Sequence, residues 1–275
     1  MKPLALWCHP RARSTAMGRM MFERRDHLVL DEPFARNYYF SDERASFRRT
    51  DVSPDPQLRF QRICEEILAR AAERPVFVKD HAYHVIHRVT PDFLGLFRNA
   101  FLIRHPSQAL PSLFARMPDA TLQETGYEAL AQMVAAVREL GEWPVLIDAQ
   151  DLVDAPHATV AAWCKHVGIP FMPEALCWVE GIPCDFDVYW WGDPSWHRHL
   201  TRSTGFAAQS DCGYPALDDI PGLRRAYEAC LPHYTELQKY RLYPLPPPGG
   251  DGSAPSTASA AGSVLRHASH PHRGW

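Results

Sequence analysis

Two stretches of the chain set arginines beside hydroxyl residues just where a short apolar run gives way to a turn, and both groupings suit an anion. The first is Pro10-Arg11-Ala12-Arg13-Ser14-Thr15-Ala16, directly after the apolar run Leu4 to Cys8. A loop that opens a helix near Ser14 points several backbone N–H groups, and the positive end of the helix dipole, at one spot. The hydroxyls of Ser14 and Thr15 and the guanidinium groups of Arg11 and Arg13 add donors, so the segment reads as a phosphate cradle. A plain serine-capped helix with solvated arginines would carry the same residues. The second grouping is Phe101-Leu102-Ile103-Arg104-His105-Pro106, with Ser112 six residues beyond that proline. If the chain is helical after Pro106, Ser112 lies about two turns past Arg104, and both can face one phosphate from the carboxyl edge of a sheet. Nothing in the chain matches the Walker pattern GxxxxGK[ST], which disfavours ordinary ATP hydrolysis.

Two further places offer proton acceptors. Glu32, in Leu28-Val29-Leu30-Asp31-Glu32-Pro33-Phe34, follows the second apolar run at once, and a carboxylate held at such an edge can serve as a general base. Lys79 and His81 stand in Val78-Lys79-Asp80-His81-Ala82-Tyr83-His84, at the end of the third run. Lysine occurs only at positions 2, 79, 165 and 239, and Lys79 follows three apolar residues. An imidazole with an unperturbed pKa near 6.5 suits a base at neutral pH. Each has a plainer reading, Glu32 as a solvated turn carboxylate and His81 as a satisfied structural histidine.

The elements that must position these residues are legible as alternating patterns. Apolar runs at Leu4 to Cys8, His27 to Leu30, Val76 to Val78, Ala100 to Ile103 and Val145 to Ile147 read as strands. Between them, Gln57 to Glu73 and Thr121 to Leu140 carry apolar residues at helical spacing. Strands alternating with amphipathic helices predict a three-layer α/β/α domain: a central parallel sheet of about five strands, with a P-loop-like phosphate-binding loop after the first. After Asp148 the pattern predicts helices at Ala155 to Val167, Pro173 to Val179 and Gly222 to Tyr240, the last kinked or broken at Pro232. From Pro246 to Trp275 the chain is mostly Pro, Gly, Ser and Ala with scattered histidines, a composition expected to be disordered, which leaves residues 1–245 as the folded domain.

Taken together, PRxxST after the first strand and IRxPxxxxxS at the end of a later one resemble the sulfotransferases that use 3′-phosphoadenosine 5′-phosphosulfate (PAPS), of a bacterial small-molecule type. The resemblance implies that Arg11, Ala12, Arg13, Ser14, Thr15 and Ala16 bind the 5′-phosphosulfate, and that Arg104 and Ser112 bind the 3′-phosphate. Arg13 departs from the glycine that many members carry. Leu146 to Leu152 is similar to the family's fifth strand and following turn, and Trp163 to Trp178 to the next helix and apolar turn. Trp196 to Phe206 resembles the late loop that closes over the 3′-phosphate, with Arg202 and Ser203 as its ligands. Glu32 resembles the base of carbohydrate- and tyrosine-directed members, and Lys79 with His81 the KxH segment of cytosolic ones. The implied reaction has Glu32 or His81 take the acceptor's proton while Lys79 and Arg11 stabilise charge on the bridging oxygen. PAPS is the co-substrate and adenosine 3′,5′-bisphosphate (PAP) the product; no metal is required, because a sulfuryl group carries less charge than a phosphoryl group.

Bulk properties narrow the remaining classes. A net charge of −3 with 22% charged residues gives no nucleic-acid signature. No apolar run approaches the length of a membrane span, and Met1 to Cys8 is too short for a signal peptide, so the expected compartment is the cytoplasm. Seven cysteines without a CxxC pair indicate neither a zinc site nor a disulfide framework. The aromatic runs Tyr38 to Phe40 and Tyr189 to Trp196 suit the wall of an acceptor pocket or an ordinary core. The expected function is therefore sulfuryl transfer from PAPS to a hydroxyl or amine of a small organic acceptor. A P-loop-type nucleotide kinase or hydrolase, and a non-catalytic nucleotide-binding protein on the same fold, stand as the alternatives. The oligomeric state is left open.

Overall fold

Strands buried on both faces of a sheet need apolar side chains at nearly every position, and the five apolar runs supply them. The computed structural model describes residues 1–186, 188, 194–207 and 213–244; the tail from Pro246 onward and most of the aromatic run at 189–193 lie outside the described residues. The runs form β1 (Leu4–Cys8), β2 (Leu28–Asp31), β3 (Val76–His81), β4 (Arg98–Ile103) and β5 (Val145–Asp148). They pair in the order β2-β3-β1-β4-β5, and every pairing is parallel. All five residues of β1 are buried.

Alternation along each strand divides the core in two. Ala5 and Trp7 of β1 join Val76, Val78, Phe101 and Ile103 in a cluster with the helices Pro33–Phe40, Phe60–Glu73 and Tyr127–Glu139. Leu4, Leu6 and Cys8 join Phe77, Ala100 and Leu102 in a second cluster with Ser14–Glu23 and Pro156–Val167. Side chains of successive strand residues point to opposite faces, so the two clusters are the two interlayer cores of an α/β/α sandwich. Trp7 anchors one of them, edge-on to Phe97 at 5.7 Å with its indole N–H donated to Asn99 Oδ1 at 2.9 Å.

Three helical expectations change in detail. The stretch Thr121 to Leu140 is two helices, Leu122–Thr125 and Tyr127–Glu139, parted by Gly126 at φ 77°. Thr121 and Glu124 close a reciprocal capping box on the first of them. Pro173 to Val179 gives only a short 3-10 turn, Pro173–Leu176, after which Cys177 bridges Gly205 in antiparallel fashion. Conversely, the helix Leu223–Leu237 continues unbroken through Pro232. Proline's fixed φ is helical, and burial of Ala226, Cys230 and Leu237 holds the segment together where one backbone N–H is missing.

Gly126 ties this architecture to the loop after β1. A Cβ at that position would stand 3.1 Å from both His9 Cβ and Pro10 Cδ. Its left-handed backbone costs any other residue about 1–2 kcal/mol. Gly126→Ala is therefore expected to lower the unfolding free energy by at least about 1–2 kcal/mol in urea melts; a variant as stable as the parent would contradict this packing.

Candidate active site

The segments at Arg11 to Ala16, Glu32, Lys79 to His81 and Arg104 lie at the carboxyl ends of β1, β2, β3 and β4, the edge where ligands of open α/β folds bind. The loop after β1 turns through two left-handed residues that are not glycine, Arg11 at φ 63° and Arg13 at φ 67°. Arg13 is the N-cap of Ser14–Glu23, and its side chain donates to Ala207 O at 2.9 Å, linking the loop to the late segment 196–207. An arginine held where glycine would sit without strain costs about 1–2 kcal/mol, a feature concentrated at functional loops. Ala16 N–H reaches back to Arg13 O. The earlier amides of this first turn have no carbonyl in register within the helix, as at any helix start.

The two arginine motifs meet. Arg11 Nε donates to Ser112 Oγ at 2.8 Å, across 101 positions of sequence, and Arg104 Nη1 donates to Arg11 O at 3.1 Å. Arg104 Nε reaches Gln108 Oε1 at 3.2 Å, so its guanidinium is held by neutral acceptors. Burial, then the charges of Arg13 and Arg11, lower its pKa to about 10. The backbone of Arg104 is pinned from both sides: its N–H donates to His9 Nε2 at 2.9 Å and its carbonyl accepts from Tyr127 at 2.7 Å. His9 is fully buried, stacks on Tyr127 at 4.0 Å, and sits with Nδ1 2.9 Å from Pro10 O. That fixes its tautomer, with Nδ1–H donating to Pro10 and the lone pair at Nε2 receiving Arg104 N–H. Neither His9 nor Tyr127 announces this role in the sequence, because each acts through a backbone group.

A second cluster sits at the ends of β2 and β3. Lys79 is wholly buried, with Nζ 2.5 Å from Glu32 Oε1 and 3.0 Å from Asp31 Oδ1. Burial works against its charge, but Asp31 and Glu32 outweigh it and raise its pKa above the usual lysine value. Burial alone would raise the Glu32 carboxyl; the pull of His81, Lys79 and His84 outweighs it and holds the group well below the ordinary carboxylate range. His81 Nε2 lies 3.5 Å from the same Glu32 oxygen. Burial pushes His81 well below an ordinary histidine, with Glu32 opposing the shift. Behind them Asp80 Oδ1 meets His84 Nδ1 at 2.6 Å and accepts His81 N–H at 2.7 Å, while Oδ2 accepts Phe34 N–H at 2.7 Å.

One cavity of about 660 Å³ joins the clusters. Its wall includes Arg11, Arg13, Ser14, Thr15 and Ala16, then Glu32 and His81 on one side and Arg104 on the other. Arg202 and Ser203 line it from the late segment. Ser203 Oγ meanwhile donates to Leu200 O at 2.7 Å and accepts from Trp178 Nε1 at 3.1 Å. Ala12, Lys79 and Ser112 are buried behind the wall, in contact with residues that form it or carry it. The far end holds features that sequence reading missed. Tyr39 and Tyr83 share a hydrogen bond between hydroxyls at 2.9 Å, and Arg48 is gripped by Glu124 and by Asp119 at 2.8 Å. Of the aromatic runs, Tyr39 and Trp196 reach the cavity, while Tyr38 is buried in the core.

Comparison with known proteins identifies the family and agrees with the fold. Residues 1–240 match the family model described as a sulfotransferase domain. The chain is 26% identical over 256 residues to branched-chain-amino-acid aminotransferase-like protein 2 of Arabidopsis thaliana, an alignment covering 90% of this chain and 44% of that protein. It is 28% identical over 144 residues to sulfotransferase ppzF of Metarhizium majus, covering 42% of each. The chain thus spans less than half the length of the curated relatives it matches. The sulfotransferase domain from the curacin biosynthetic pathway superposes with a TM-score of 0.50 at 17% identity, covering 88% of this chain and 99% of that one, which speaks to the fold.

The buried imidazoles set a pH dependence. His9 is lowered to about 4 by burial, so between its ordinary pKa and that value the unfolded chain binds the extra proton and the folded chain does not. Stability must then rise with pH through this window, and fall on acidification. His81 acts in the same sense, and the depressed Glu32 carboxylate adds a loss at lower pH still. His9 alone should remove about 3 kcal/mol between neutrality and about pH 4. In the folded protein its ring resonances should keep their neutral-form shifts through about pH 6, below an ordinary histidine's midpoint; titration near pH 6.5 would refute the assignment.

Proposed function

Because the chain belongs to the sulfotransferase domain family, we propose that it transfers a sulfuryl group from PAPS to a hydroxyl or amine of a small organic acceptor. The observation that carries this reading is the meeting of Arg11, Ser112 and Arg104 beside the strained loop, in a cavity whose opposite side presents Glu32 and His81. A ligand with two separate phosphate groups fits such a wall. The loop Arg11 to Ala16 takes the 5′-phosphosulfate with its backbone amides and the Ser14 and Thr15 hydroxyls. Arg104 takes the 3′-phosphate, with Ser112 fixing Arg11 between the two and Arg202 and Ser203 approaching from the late segment. A volume of about 660 Å³ lies within the range of small-molecule sites.

In the proposed reaction the acceptor's oxygen or nitrogen attacks sulfur in line with the bridging oxygen. The new bond to sulfur forms as the S–O bond to the 5′-phosphate breaks, and PAP leaves with the electron pair. Arg11 and the loop amides stabilise the charge that grows on the leaving oxygen, contacts worth about 2.7–4 kcal/mol each in comparable oxyanion sites. The acceptor's proton passes to the Glu32–His81 pair, whose Oε1 and Nε2 lie 3.5 Å apart. Lys79 donates to Glu32 Oε1 and pairs with Asp31, so we assign it the positioning of that carboxylate. The cytoplasm remains the proposed compartment.

Two measurements test the reading. In a thermal-shift comparison PAP should stabilise the protein far more than AMP or ATP at equal concentration, since about 2.7 kcal/mol accompanies a ligand at a hundred times its Kd. Arg104→Ala should erase the difference between PAP and AMP; equal responses in the parent chain would overturn the donor assignment. For the chemistry, Glu32→Gln should lower kcat by about 10²–10⁴ at saturating donor, the usual worth of a general base, while PAP binding persists. Unchanged turnover in Glu32→Gln and in His81→Ala would remove both from the reaction.

A further inference from the structure

We propose that Glu32, His81 and His84 form a binding site for a divalent transition-metal ion. One ligating atom from each lies within 4.8 Å of the others, a grouping found among the described residues. The ligand atoms of a tetrahedral shell with bonds near 2.0–2.1 Å stand about 3.3 Å apart, so a small side-chain rotation closes the set.

The histidines carry the case. His84 is fully buried, and its Nδ1 lies 2.6 Å from Asp80 Oδ1. A carboxylate is acceptor-only, so this contact places an N–H at Nδ1 and leaves Nε2 as the nitrogen that could meet a ligand. That Nε2 is buried and has no hydrogen-bond partner, and neither has His81 Nδ1. Two buried ring nitrogens without partners in neighbouring rings, 5.1 Å between centroids, are costly unless a further group satisfies them. A carboxylate on one nitrogen of an imidazole whose other nitrogen is left for a ligand is the arrangement that orients metal-binding histidines.

Charge points the same way. The carboxylates of Asp31, Glu32 and Asp80 gather beside the two imidazoles, and that negative field favours a cation. Two imidazoles and one carboxylate are the donors of zinc and ferrous sites, whereas magnesium and calcium favour shells of oxygen. Lys79 competes for Glu32 Oε1, so the affinity should fall short of a closed structural zinc site. An ion held there occupies both groups of the proposed base, so on the reading above metal binding and proton acceptance exclude one another.

The test uses the full chain, stripped with a chelator and desalted, and reads binding optically, independently of transfer activity. Titration with Co(II) should give visible d–d bands that saturate and that Zn(II) displaces, with a single equivalent more bound than in Glu32→Gln. That variant is nearly isosteric and its fold is checked by circular dichroism. Asp80→Asn, which touches the ion only through His84, should weaken binding by about 10–100-fold. Identical Co(II) stoichiometry and spectra in the parent and Glu32→Gln would overturn the site, and would assign any binding to histidines elsewhere, such as His267, His270 and His272.

Discussion

Gathering guanidinium groups around one loop is the constraint on which the rest of this structure depends. Arg104 is almost wholly buried, its hydrogen-bond acceptors are neutral, and Arg11 and Arg13 press on it with like charge. Such an arrangement is unfavourable in itself, since burial and repulsion both oppose the charge. Backbone contacts hold it in place: the His9 and Tyr127 contacts to the two peptide groups of Arg104, the left-handed turns at Arg11 and Arg13, and Gly126 packed against His9 and Pro10. The helices that carry Tyr127 and Ser112 are thereby committed to places set by the cradle. An anion bound among these arginines would relieve the repulsion.

The other half of the sheet edge has the opposite balance. The side chains of Asp31, Glu32 and Asp80 are buried near Lys79, with the imidazoles of His81 and His84 beside them. Burying carboxylates together is as costly as burying arginines together, and Lys79 is what makes it tolerable. Because Lys79 sits on β3 while Asp31 ends β2 and Glu32 follows it, β2 to β3 pairing and the ion pairs support one another: Asp31 stands opposite Lys79 in the register. Loss of the lysine would remove an ion-pair partner from both Asp31 and Glu32, which argues for a structural contribution alongside any part it takes in chemistry.

Much of this was readable from the chain, and the unread part has a common cause. The strands were plain because parallel strands covered on both faces are almost uninterrupted apolar runs. Lys79 was conspicuous as a charge among apolar residues, and Arg104 as an arginine at a strand's end. Contacts made through the backbone left no trace in residue type, which is why His9 and Tyr127 went unnoticed. The Arg11–Ser112 hydrogen bond joins motifs 101 positions apart, and only their meeting at one sheet edge reveals it. The Asp80–His84 pair was hidden because it depends on the short helix Ala82–Val85 turning back over the strand that precedes it. Arg13 was visible as a departure from glycine, but its left-handed backbone and its reach to Ala207 are matters of geometry.

Strand order turns these two clusters into one device. β1 lies between β3 and β4, so the cradle is central, Arg104 flanks it on the β4 side and Glu32 with His81 on the β3 side. Had β4 lain at the outer edge, Arg104 would be a strand's width or more further away, about 4.7–4.9 Å per strand, and could not reach the carbonyl of Arg11. The resulting edge is cationic at one end and anionic at the other, with the loop between. For the proposed transfer this polarity separates the two tasks: the donor's phosphates are drawn to the arginine side, and the acceptor's proton leaves on the carboxylate side. Neither half could perform the other's task, because the charge that binds a phosphosulfate would repel the proton that must be removed.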